Sequence, residues 1–517
     1  MNKQLQSVFT YHEQTKHSQQ KYAASIGYMD WSTQPDPWRE YKGTKSIQLP
    51  LSFKNDTPPY HLLDDSLPSA PLVKESLSQL LQFSMGIAAI KKSDGSSWAV
   101  RCNASSGNLH PTETYLVVPP VLDELSDKTT VLHYTPKNHA LEVLATLETS
   151  FWDKLPKGSF LLGLSAITWR EVWKYGERAF RYTNLDAGHA WQSIAVSAKL
   201  LGWKLTRLDK ISDDEIASIM GLSQEKRFFE SEHADMLFIV SPQEMDSGLS
   251  LDLLVENLPL VYEGIANKLS PQMQEWSIIP EIEEATASSQ IAQKTIETND
   301  IIKEATQESK KIILNRRSIH VMDKITSTIS KEQFHILLRS IHKSLDKKEN
   351  SVHLCIFVHR VEGYESGLYI LVRNEGDTSS LKDLMHTDFS WDESEFKDLY
   401  LLEQRDFRLA SKSISCNQDI ASDGAFSLGM LANFSEQIQK HGAHRYKELY
   451  WESGMIGQEL YLEATSLGLS GTGIGCYLDD TMHSLLGLKN NSYQILYHFT
   501  VGKGYVDSRI SSAPAYE

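Results

Sequence analysis

The sequence of 517 residues is poor in cysteine and has no cysteine motif. Its four cysteines, Cys102, Cys355, Cys416 and Cys476, are scattered, and none belongs to a CxxC pair or a zinc-ribbon spacing. So few thiols in so long a chain predict a reducing compartment and no disulfide framework.

Long apolar runs and a surplus of positive charge are also lacking. No run approaches membrane-spanning length, and the N-terminus has no apolar core of signal-peptide length. We therefore expect a cytoplasmic protein with no membrane partner. The net charge is −16, from 51 Lys and Arg against 67 Asp and Glu. Because such a charge repels a phosphate backbone, it argues against nucleic-acid binding and suits a protein that meets small molecules.

A zinc-binding helix near the N-terminus is excluded by spacing. His12 and His17 are five residues apart rather than four, so they would not share a helix face as a metalloprotease pair does. We expect a solvated N-terminal segment and no metal site.

An internal repeat divides the chain. Residues 270–315 are polar and predict a helical linker between an N-terminal domain, 1–269, and a C-terminal domain, 316–517. Identical residues recur across it at a constant offset of 266, far above chance. The pairs are Gly188/Gly454, Gln192/Gln458, Ala198/Ala464, Leu201/Leu467, Gly202/Gly468, Thr206/Thr472, Asp213/Asp479, Asp214/Asp480, Ser218/Ser484, Gly221/Gly487 and Leu222/Leu488.

Both copies open with an amphipathic helix. Gly202 and Gly468 stand where such a helix would end. The three–four spacing of a buried face is followed by Ala187, Ala190, Trp191, Ile194, Ala198 and Leu201.

Two earlier pairings extend the repeat. Residues 74–81 match 331–338 at an offset of 257, and Tyr115–Val117 weakly matches Tyr369–Leu371 at 254. Each half is thus predicted to be a mixed helix–strand domain, with a small mixed sheet covered by helices. The two copies would form a pseudo-dimer within one chain, which can itself be monomeric.

The copies differ where a ligand could bind. The second copy has a glycine-rich stretch, Gly471, Thr472, Gly473, Ile474 and Gly475, whose bare backbone can approach a ligand closely. It is neither a dinucleotide fingerprint nor a Walker loop. At the positions of its three glycines, the first copy has Leu205, Arg207 and Asp209.

A positively charged cluster is likewise confined to the second copy. Arg316, Arg317 and Ser318 could clamp a phosphate, or the arginines could simply be solvated. The first copy has Pro59, Tyr60 and His61 at these positions. Lys503 and Arg509 could add positive charge.

The first copy has its own unusual loop, which could be a turn before a strand or a cluster of hydrogen-bond donors. At an offset of 254 the second copy reads HRVEGYE, residues 359–365, and lacks this loop. The losses are complementary, which predicts one ligand site built from both halves. The loop residues are Ser105, Ser106, Gly107, Asn108 and His110.

These motifs together resemble the nitroreductase family of flavin enzymes over nearly the whole chain. The likeness rests on ASSGNLHP (104–111), RRSIH (316–320), ESGMIGQELYLEATSLGLSGTGIG (452–475) and VGKGYVDSR (501–509). The segments 173–189 and 415–426 are similar to the SagB-type dehydrogenase branch, which oxidises azolines to azoles in modified peptides.

The resemblance implies two α+β domains, each with a mixed, mainly antiparallel sheet flanked by helices, and an FMN site at their dimer-like interface. Arg316, Arg317 and Ser318 would hold the phosphate, with His320 where the family often has another Arg. The loop 105–110 would reach in from the other half, although Ala104 replaces the family's usual Pro. Residues 471–475 would lie along the isoalloxazine ring.

The resemblance also implies a proton-transfer pair. Lys174-Tyr175 matches the Lys-Tyr pair of azoline oxidases, although a surface Lys beside a core Tyr would read the same. We therefore expect an FMN-dependent oxidoreductase that transfers hydride through the flavin. Its substrates could be NAD(P)H with a nitro or quinone acceptor, or a peptide-borne azoline. The alternative is a non-catalytic protein, either a degenerate flavin-binding scaffold or a flavin-free one.

Overall fold

The structure is a computed structural model that describes residues 2–63, 67–121, 127–288, 305–342 and 350–516. Within these residues the predicted linker, 270–315, contains one helix near each of its ends. The part of the linker between residues 289 and 304 lies outside the described residues.

The helices and strands fall into two series along the chain. The first series comprises helices α1 (Lys3–Gln14), α2 (Lys74–Gln82), α3 (Trp169–Tyr175), α4 (Ala179–Leu200), α5 (Asp213–Met220), α6 (Asp252–Val255) and α7 (Ile278–Thr286). Its strands are β1 (Tyr41–Lys42), β2 (Ser46–Gln48), β3 (Ile87–Ser93), β4 (Ser96–Arg101), β5 (Thr112–Val118), β6 (Thr129–Thr135), β7 (Ala140–Leu147), β8 (Phe160–Ala166), β9 (Lys204–Arg207), β10 (His233–Ser241) and β11 (Ile265–Ala266).

The second series begins at the end of the linker. Its helices are α8 (Ser309–Asn315), α9 (Lys331–His342), α10 (Thr378–Leu384), α11 (Arg408–Ile414), α12 (Ile420–Asp423), α13 (Ser435–His441), α14 (Arg445–Ser466) and α15 (Asp479–Leu486). Its strands are β12 (Val352–Val358), β13 (Gly367–Leu371), β14 (Asp392–Glu393), β15 (Leu399–Gln404), β16 (Phe426–Asn433), β17 (Ser470–Ile474), β18 (Tyr493–Gly502) and β19 (Ser511–Ala513).

Each half is built on a seven-stranded antiparallel sheet. The strand order is β2-β7-β6-β5-β8-β10-β9 in the first half and β14-β15-β13-β12-β16-β18-β17 in the second. Read from the β9 and β17 edges, six strands of each sheet follow the same order along the chain. The seventh differs, because β2 precedes β5 in the first half whereas β14 lies between β13 and β15 in the second. Helices cover both faces of each sheet, so the predicted α+β fold with two similar domains is confirmed.

The repeat at offset 266 is confirmed in three successive elements. Helices α4 and α14 begin at Ala179 and Arg445, and α5 and α15 begin at Asp213 and Asp479. The edge strands β9 and β17 lie between them in each half. The predicted face of α4, from Ala187 to Leu201, is buried against the first sheet.

The weak pairing at offset 254 is wrong. In the sheets, β5 has the position of β12 rather than β13, and the strand registers match Leu116 with Ile356, an offset of 240. The reason is the hairpin β3–β4, which the first half carries between α2 and β5. The equivalent of 105–111 is therefore 345–351 (LDKKENS), not 359–365. Residues 345–349 lie outside the described residues, but this sequence also has no Ser-Ser-Gly-Asn run.

The two halves meet along α4 and α14, where the backbones touch. A Cβ atom on Gly188 would lie 2.2 Å from the Trp451 carbonyl oxygen and 2.9 Å from Gly454 Cα. A Cβ atom on Gly454 would lie 2.2 Å from the Leu185 carbonyl oxygen. Each half thus presents the same glycine to its counterpart, as in a two-fold dimer interface.

Each end of the chain packs on the opposite half: the N-terminal helix α1 on the second half and the C-terminal strand β19 on the first. Tyr11 of α1 packs in the core of the second half with Phe434 and Tyr446, and β19 pairs with β3 of the first half. The predicted solvated N-terminal segment is therefore wrong: His12 is 1% exposed, and its Nε2 lies 2.9 Å from Gln494 Oε1. No cluster of metal-ligating side chains occurs among the described residues.

Two of the four cysteines are paired. Cys416 and Cys476 form a disulfide, with Cα atoms 5.9 Å apart, which contradicts the expectation of no disulfide. The two residues are 60 positions apart and meet because the turn after α11 packs on the end of β17, where Gln418 donates to the Cys476 carbonyl (3.3 Å). In the described part of the chain, no helix has both the length and the apolar character to cross a membrane.

Candidate functional site

The predicted arginine cluster begins where α8 ends, against the other half of the chain. Arg316 is 4% exposed. Its Nε donates to the Cys102 carbonyl (2.9 Å) and its Nη2 to the Arg101 carbonyl (2.8 Å). Among the described residues no carboxylate forms an ion pair with it, and burial lowers its pKa. A buried guanidinium without a carboxylate fits a bound anion.

Arg317 extends this positive region towards the surface. Its Nη1 donates to the carbonyls of Leu314 (2.7 Å) and Arg316 (2.6 Å). Burial, and then the charge of Arg316, lowers the pKa of Arg317 to about 10. The charge of Arg317 in turn helps to lower the pKa of Lys91, which the sequence did not single out. Three cationic side chains from both halves therefore lie close together.

Ser318 joins the arginines to the glycine-rich strand. It forms a parallel bridge with Gly471, so it continues the sheet beyond the β17 edge. Its Oγ lies 2.7 Å from the Tyr461 hydroxyl, which also accepts from Gly473 N–H (2.8 Å). Thr472 Oγ1 accepts from Ile319 N–H (2.9 Å) beside them. The structure thus brings the two predicted motifs of the second half into contact.

Aromatic rings pack directly on two of the predicted glycines. A Cβ atom on Gly471 would lie 2.8 Å from the Phe499 ring, and one on Gly473 would lie 1.7 Å from the Tyr497 hydroxyl. Side chains at these positions would expel the rings, so packing alone requires glycine here. The glycines leave a thin strand edge beside Ser318.

Gly475 marks the contact of this strand with the first half. The Tyr182 hydroxyl of α4 donates to the Gly475 carbonyl (3.1 Å), and a Cβ atom on Gly475 would lie 2.4 Å from the Tyr182 ring. Ile474 is 2% exposed and points into the second half. The end of the glycine-rich stretch is therefore formed by both halves.

The loop of the first half is a tight turn that is held by its own side chains. Ser105 Oγ accepts from His110 N–H (2.8 Å), and Asn108 Nδ2 donates to the Ala99 carbonyl (2.9 Å). His110 Nε2 lies 3.0 Å from Asn108 Oδ1, and burial lowers the pKa of His110. Asn108 and His110 therefore shape the turn, while Gly107 is exposed at its tip.

The predicted proton-transfer pair lies beside this turn. Lys174 and Tyr175 end helix α3, and both are half-buried. A Cβ atom on Gly107 would lie 2.8 Å from the Tyr175 hydroxyl and 3.1 Å from Lys174 Nζ. Burial, helped by the charge of Glu171, raises the pKa of Tyr175, so its hydroxyl is protonated at neutral pH. The structure thus places a cation and a phenol together at Gly107.

A buried carboxyl at the same turn was missed by the sequence analysis. Asp186 is 1% exposed and accepts hydrogen bonds from the backbone and hydroxyl of Ser106 (2.9–3.0 Å). Burial raises the pKa of Asp186 to about 7. Burial, and then the charge of Asp186, raises the pKa of Glu171 well above its usual range.

Other missed residues lie on the central helices, where the repeat suggested only a core. Gln458 Oε1 accepts from Ala104 N–H (3.1 Å), and its Nε2 donates to the Cys102 carbonyl (3.3 Å), immediately before the turn. His189 lies 3.2 Å from both Gln458 Oε1 and the Tyr497 hydroxyl. The identity of Gln192 and Gln458 in the repeat was the one available signal for this role.

Three predicted site residues are less closely involved. His320 and Lys503 are exposed. Hydrogen bonds from Thr326 and Ile325 lower the pKa of Asp323, and the charge of Lys503 adds a smaller contribution in the same direction. The Arg509 side chain is 80% exposed and pairs with Asp507 (2.6 Å).

The equivalent region of the other half is filled by ion pairs. Arg207 stands where the second half has Gly473, and its Nη2 bonds Glu448 (2.6 Å) and Asp209 (3.0 Å). The guanidinium lies 5.5 Å from the ring centre of Trp451. In the first half, Arg207 with its carboxylate partners Asp209 and Glu448 therefore occupies the position that the glycine-rich strand edge has in the second half.

Comparison of the sequence with protein-family profiles identifies the family of the chain. The profile described as "Nitroreductase family" matches residues 68–229 and 391–503, more than half of the chain. The chain belongs to the nitroreductase family.

Solved structures agree with the tandem arrangement. A structure from Anabaena variabilis, provisionally described as a nitroreductase, superposes with a TM-score of 0.72 at 20% identity. The match covers 96% of this nitroreductase-family chain and 99% of that one, which shows that the same two-domain fold occurs elsewhere.

Two curated relatives match shorter parts of the chain. A Methanocaldococcus jannaschii protein, also provisionally described as a nitroreductase, is 26% identical over 167 residues, covering 30% of this chain and 78% of that protein. The Escherichia coli microcin B17-processing protein McbC is 28% identical over 130 residues, covering 23% of this chain and 48% of McbC. The second similarity agrees with the resemblance to SagB-type dehydrogenases.

Proposed function

We propose that this nitroreductase-family chain is an FMN-dependent oxidoreductase with a single flavin site formed by both halves. The observation that carries this proposal is the position of Arg316. Its buried guanidinium has no carboxylate partner in the described residues and lies in the cluster that includes Ser318 and Gly471. An anionic cofactor with a flat ring would match this charge and the adjoining glycine edge.

The residues present fit FMN as follows. Arg316, Arg317 and Ser318 would hold the phosphate, and residues 471–475 would lie along the ring. The turn 105–108 would close the site from the first half. His320, Lys503 and Arg509 stay predictions as outer contributors of hydrogen bonds or charge. Bound FMN supplies two-electron redox chemistry, while the protein binds, orients and excludes water.

Lys174 and Tyr175 would hold and move the proton that accompanies substrate oxidation. The Tyr175 hydroxyl stays protonated at neutral pH, and the Lys174 ammonium stands beside it at Gly107. The pair can therefore donate a proton or, after losing one, accept one at the same point. The exposed tip of the turn leaves this point open to a substrate.

Two substrate classes suit such a site: NAD(P)H with a nitro or quinone acceptor, and a peptide-borne azoline. The Lys174–Tyr175 pair and the similarity to a microcin B17-processing protein favour the azoline. We therefore infer a modified peptide as substrate.

The test is the amount of FMN bound by the purified full chain and by one matched pair of variants. We expect one FMN per chain. Arg317→Ala removes a partly buried charge and should weaken FMN binding about 30-fold or more, from a loss of about 2–5 kcal/mol. Arg405→Ala removes an exposed arginine that pairs with Glu403 and should leave the affinity unchanged. A colourless protein that takes up no added FMN would instead favour the degenerate scaffold.

A further inference from the structure

Asp186 is a buried carboxylate that binds only neutral donors. The Ser106 N–H donates to both of its oxygens (2.9 and 3.0 Å), and the Ser106 hydroxyl donates to Oδ1 (2.9 Å). Within the described part of the chain, Asp186 forms no ion pair with a basic side chain. A carboxylate without a counter-ion is an expensive group to bury, so its position calls for a reason other than stability.

The turn that it holds is conformationally unfavourable. Gly107, Asn108 and His110 have φ values of 60°, 59° and 53°, in the left-handed region. Only glycine adopts this region readily, so the turn needs external anchors. Hydrogen bonds to an ionised carboxylate are about twice as strong as neutral ones, and Asp186 accepts from two donors of Ser106, its N–H and its hydroxyl.

The residue after Ser106 touches the proton-transfer pair. The position of Gly107 next to the Tyr175 hydroxyl and Lys174 Nζ therefore depends on how firmly Ser106 is held. We propose that Asp186 is a positioning residue for the reaction, whose carboxylate fixes the Ser106–Gly107 turn against Lys174 and Tyr175. This inference rests on the proposed function of the site.

The surroundings of Asp186 make its hydrogen bonds with Ser106, called the clamp below, sensitive to pH. Burial raises the pKa of Asp186 to about 7, although the hydrogen bonds from Ser105 and Ser106 act to lower it. Protonation removes the charge that strengthens those bonds, so the turn is held more weakly below this pH. The titratable groups around Asp186 are Glu171, Lys174 and Tyr175 at α3, Tyr182 on α4, and Tyr461 and Tyr497 from the second half.

Ionisation of Asp186 as pH rises should lower the stability of the fold while it raises activity. A carboxyl whose pKa is raised on folding stabilises the fold at low pH, and this contribution is lost as pH rises through about 7. Asp186→Asn should therefore melt at a higher temperature than the wild type at pH 8, while turnover is lower. A residue that served only structure would not separate the two quantities in this way.

The experiment is hydrogen exchange of the Ser106 amide in the full chain, together with the pH profile of flavin-dependent turnover. Asp186→Asn should lower the protection of this amide about tenfold or more, from the loss of charge-assisted hydrogen bonds. It should also abolish the rise of turnover near pH 7. Asp235→Asn is the matched control, because Asp235 is a buried carboxyl whose pKa burial raises to about 6, beside Lys447. It should change neither measurement.

Equal protection in Asp186→Asn and in the wild type would overturn the proposal, as would an unchanged pH profile. If Asp186→Asn does not fold, Ser106→Ala decides, since it removes the hydroxyl bond alone. It should lower protection by a smaller factor and keep the pH dependence, and no change in protection would reject the clamp. Hydrogen exchange needs no flavin, so a chain that binds no FMN would refute the proposed function without touching this test.

Discussion

Gly188 and Gly454 face each other at the centre of the molecule, each closer to the other helix than any side chain would allow. A Cβ atom on either residue would lie 2.2 Å from a carbonyl oxygen of the other half. Gly188→Ala should therefore force α4 and α14 apart and lower the free energy of unfolding by about 1–3 kcal/mol or more. Because the candidate site is built on both helices, FMN affinity should fall as well.

Gly468→Ala provides the control for this prediction. A Cβ atom there would meet nothing within 4 Å, so only the left-handed backbone (φ +69°) opposes the change. Denaturant unfolding should show a loss of about 1 kcal/mol and FMN titration no change in affinity. Equal losses in the two variants would show that the helix contact has no special role.

Lys174 and Tyr175 should matter for turnover rather than for flavin binding. Tyr175→Phe removes only the hydroxyl beside Gly107, and Lys174→Ala removes the adjoining cation. Each should slow the reaction about 100-fold, as expected for the loss of a proton-transfer group, while FMN affinity stays within a few-fold of the wild type. Single-turnover kinetics on a substrate of the wild type measures this. Unchanged rates would leave the pair with a packing role alone.

Asp479 should hold the halves together down to acidic pH. It accepts from Arg178 (3.1 Å) and Arg181 (2.9 Å) of the other half. Burial would raise the pKa of Asp479, but the two guanidinium charges outweigh burial and lower it. A lowered pKa adds stability above the unfolded value, near 4, which is lost only as pH falls further.

Asp479→Asn should therefore cost about 3–5 kcal/mol in urea unfolding at pH 7, because it leaves two buried guanidinium groups without their anion. The difference from the wild type should persist at pH 5 and shrink below pH 4. Asp480→Asn, an adjacent and mostly exposed carboxyl, should change little. A difference that already vanished at pH 6 would contradict this account.

Reduction of the Cys416–Cys476 disulfide should destabilise the second half. The bond closes a loop of 60 residues, for which the chain-entropy relation gives about 4 kcal/mol. Unfolding midpoints with and without dithiothreitol measure the effect, and a Cys416→Ser, Cys476→Ser double variant should be insensitive to the reductant. Identical midpoints for the oxidised wild type and the double variant would rule out a stabilising role.

Much of the architecture could be predicted from the sequence because the two halves repeat the same residues at a constant spacing. The offset of 266 predicted the paired helices α4 and α14 and aligned β9 and α5 with their counterparts, and the apolar face of α4 was read correctly from its spacing. The contact between Ser318 and Gly471 follows from motifs that are each recognisable by residue type.

The errors have identifiable causes. The hairpin β3–β4 shifted the alignment of β5, since an insertion in one copy leaves no trace in composition. Asp186 was hidden because a polar residue on a helix that is otherwise buried has no periodic signal. The N-terminal segment was misread because its buried face is covered by residues distant in sequence, from Phe180 in the first half to Phe434 and Tyr446 in the second.

The distance in sequence between α1 and its partners in the second half affects how the chain folds during translation. Phe9 of α1 packs on Phe434, with ring centres 5.8 Å apart. At about 5–20 residues per second, the ribosome supplies Phe434 only tens of seconds after Phe9. Until then the part of α1 that packs on the second half is uncovered, although the Tyr11 ring already has Phe180 beside it. The β3 edge stays unpaired until β19 is made. During synthesis, the first half therefore exposes apolar surface that the second half covers later. The fusion of two domains into one chain replaces the encounter of two subunits with the completion of translation.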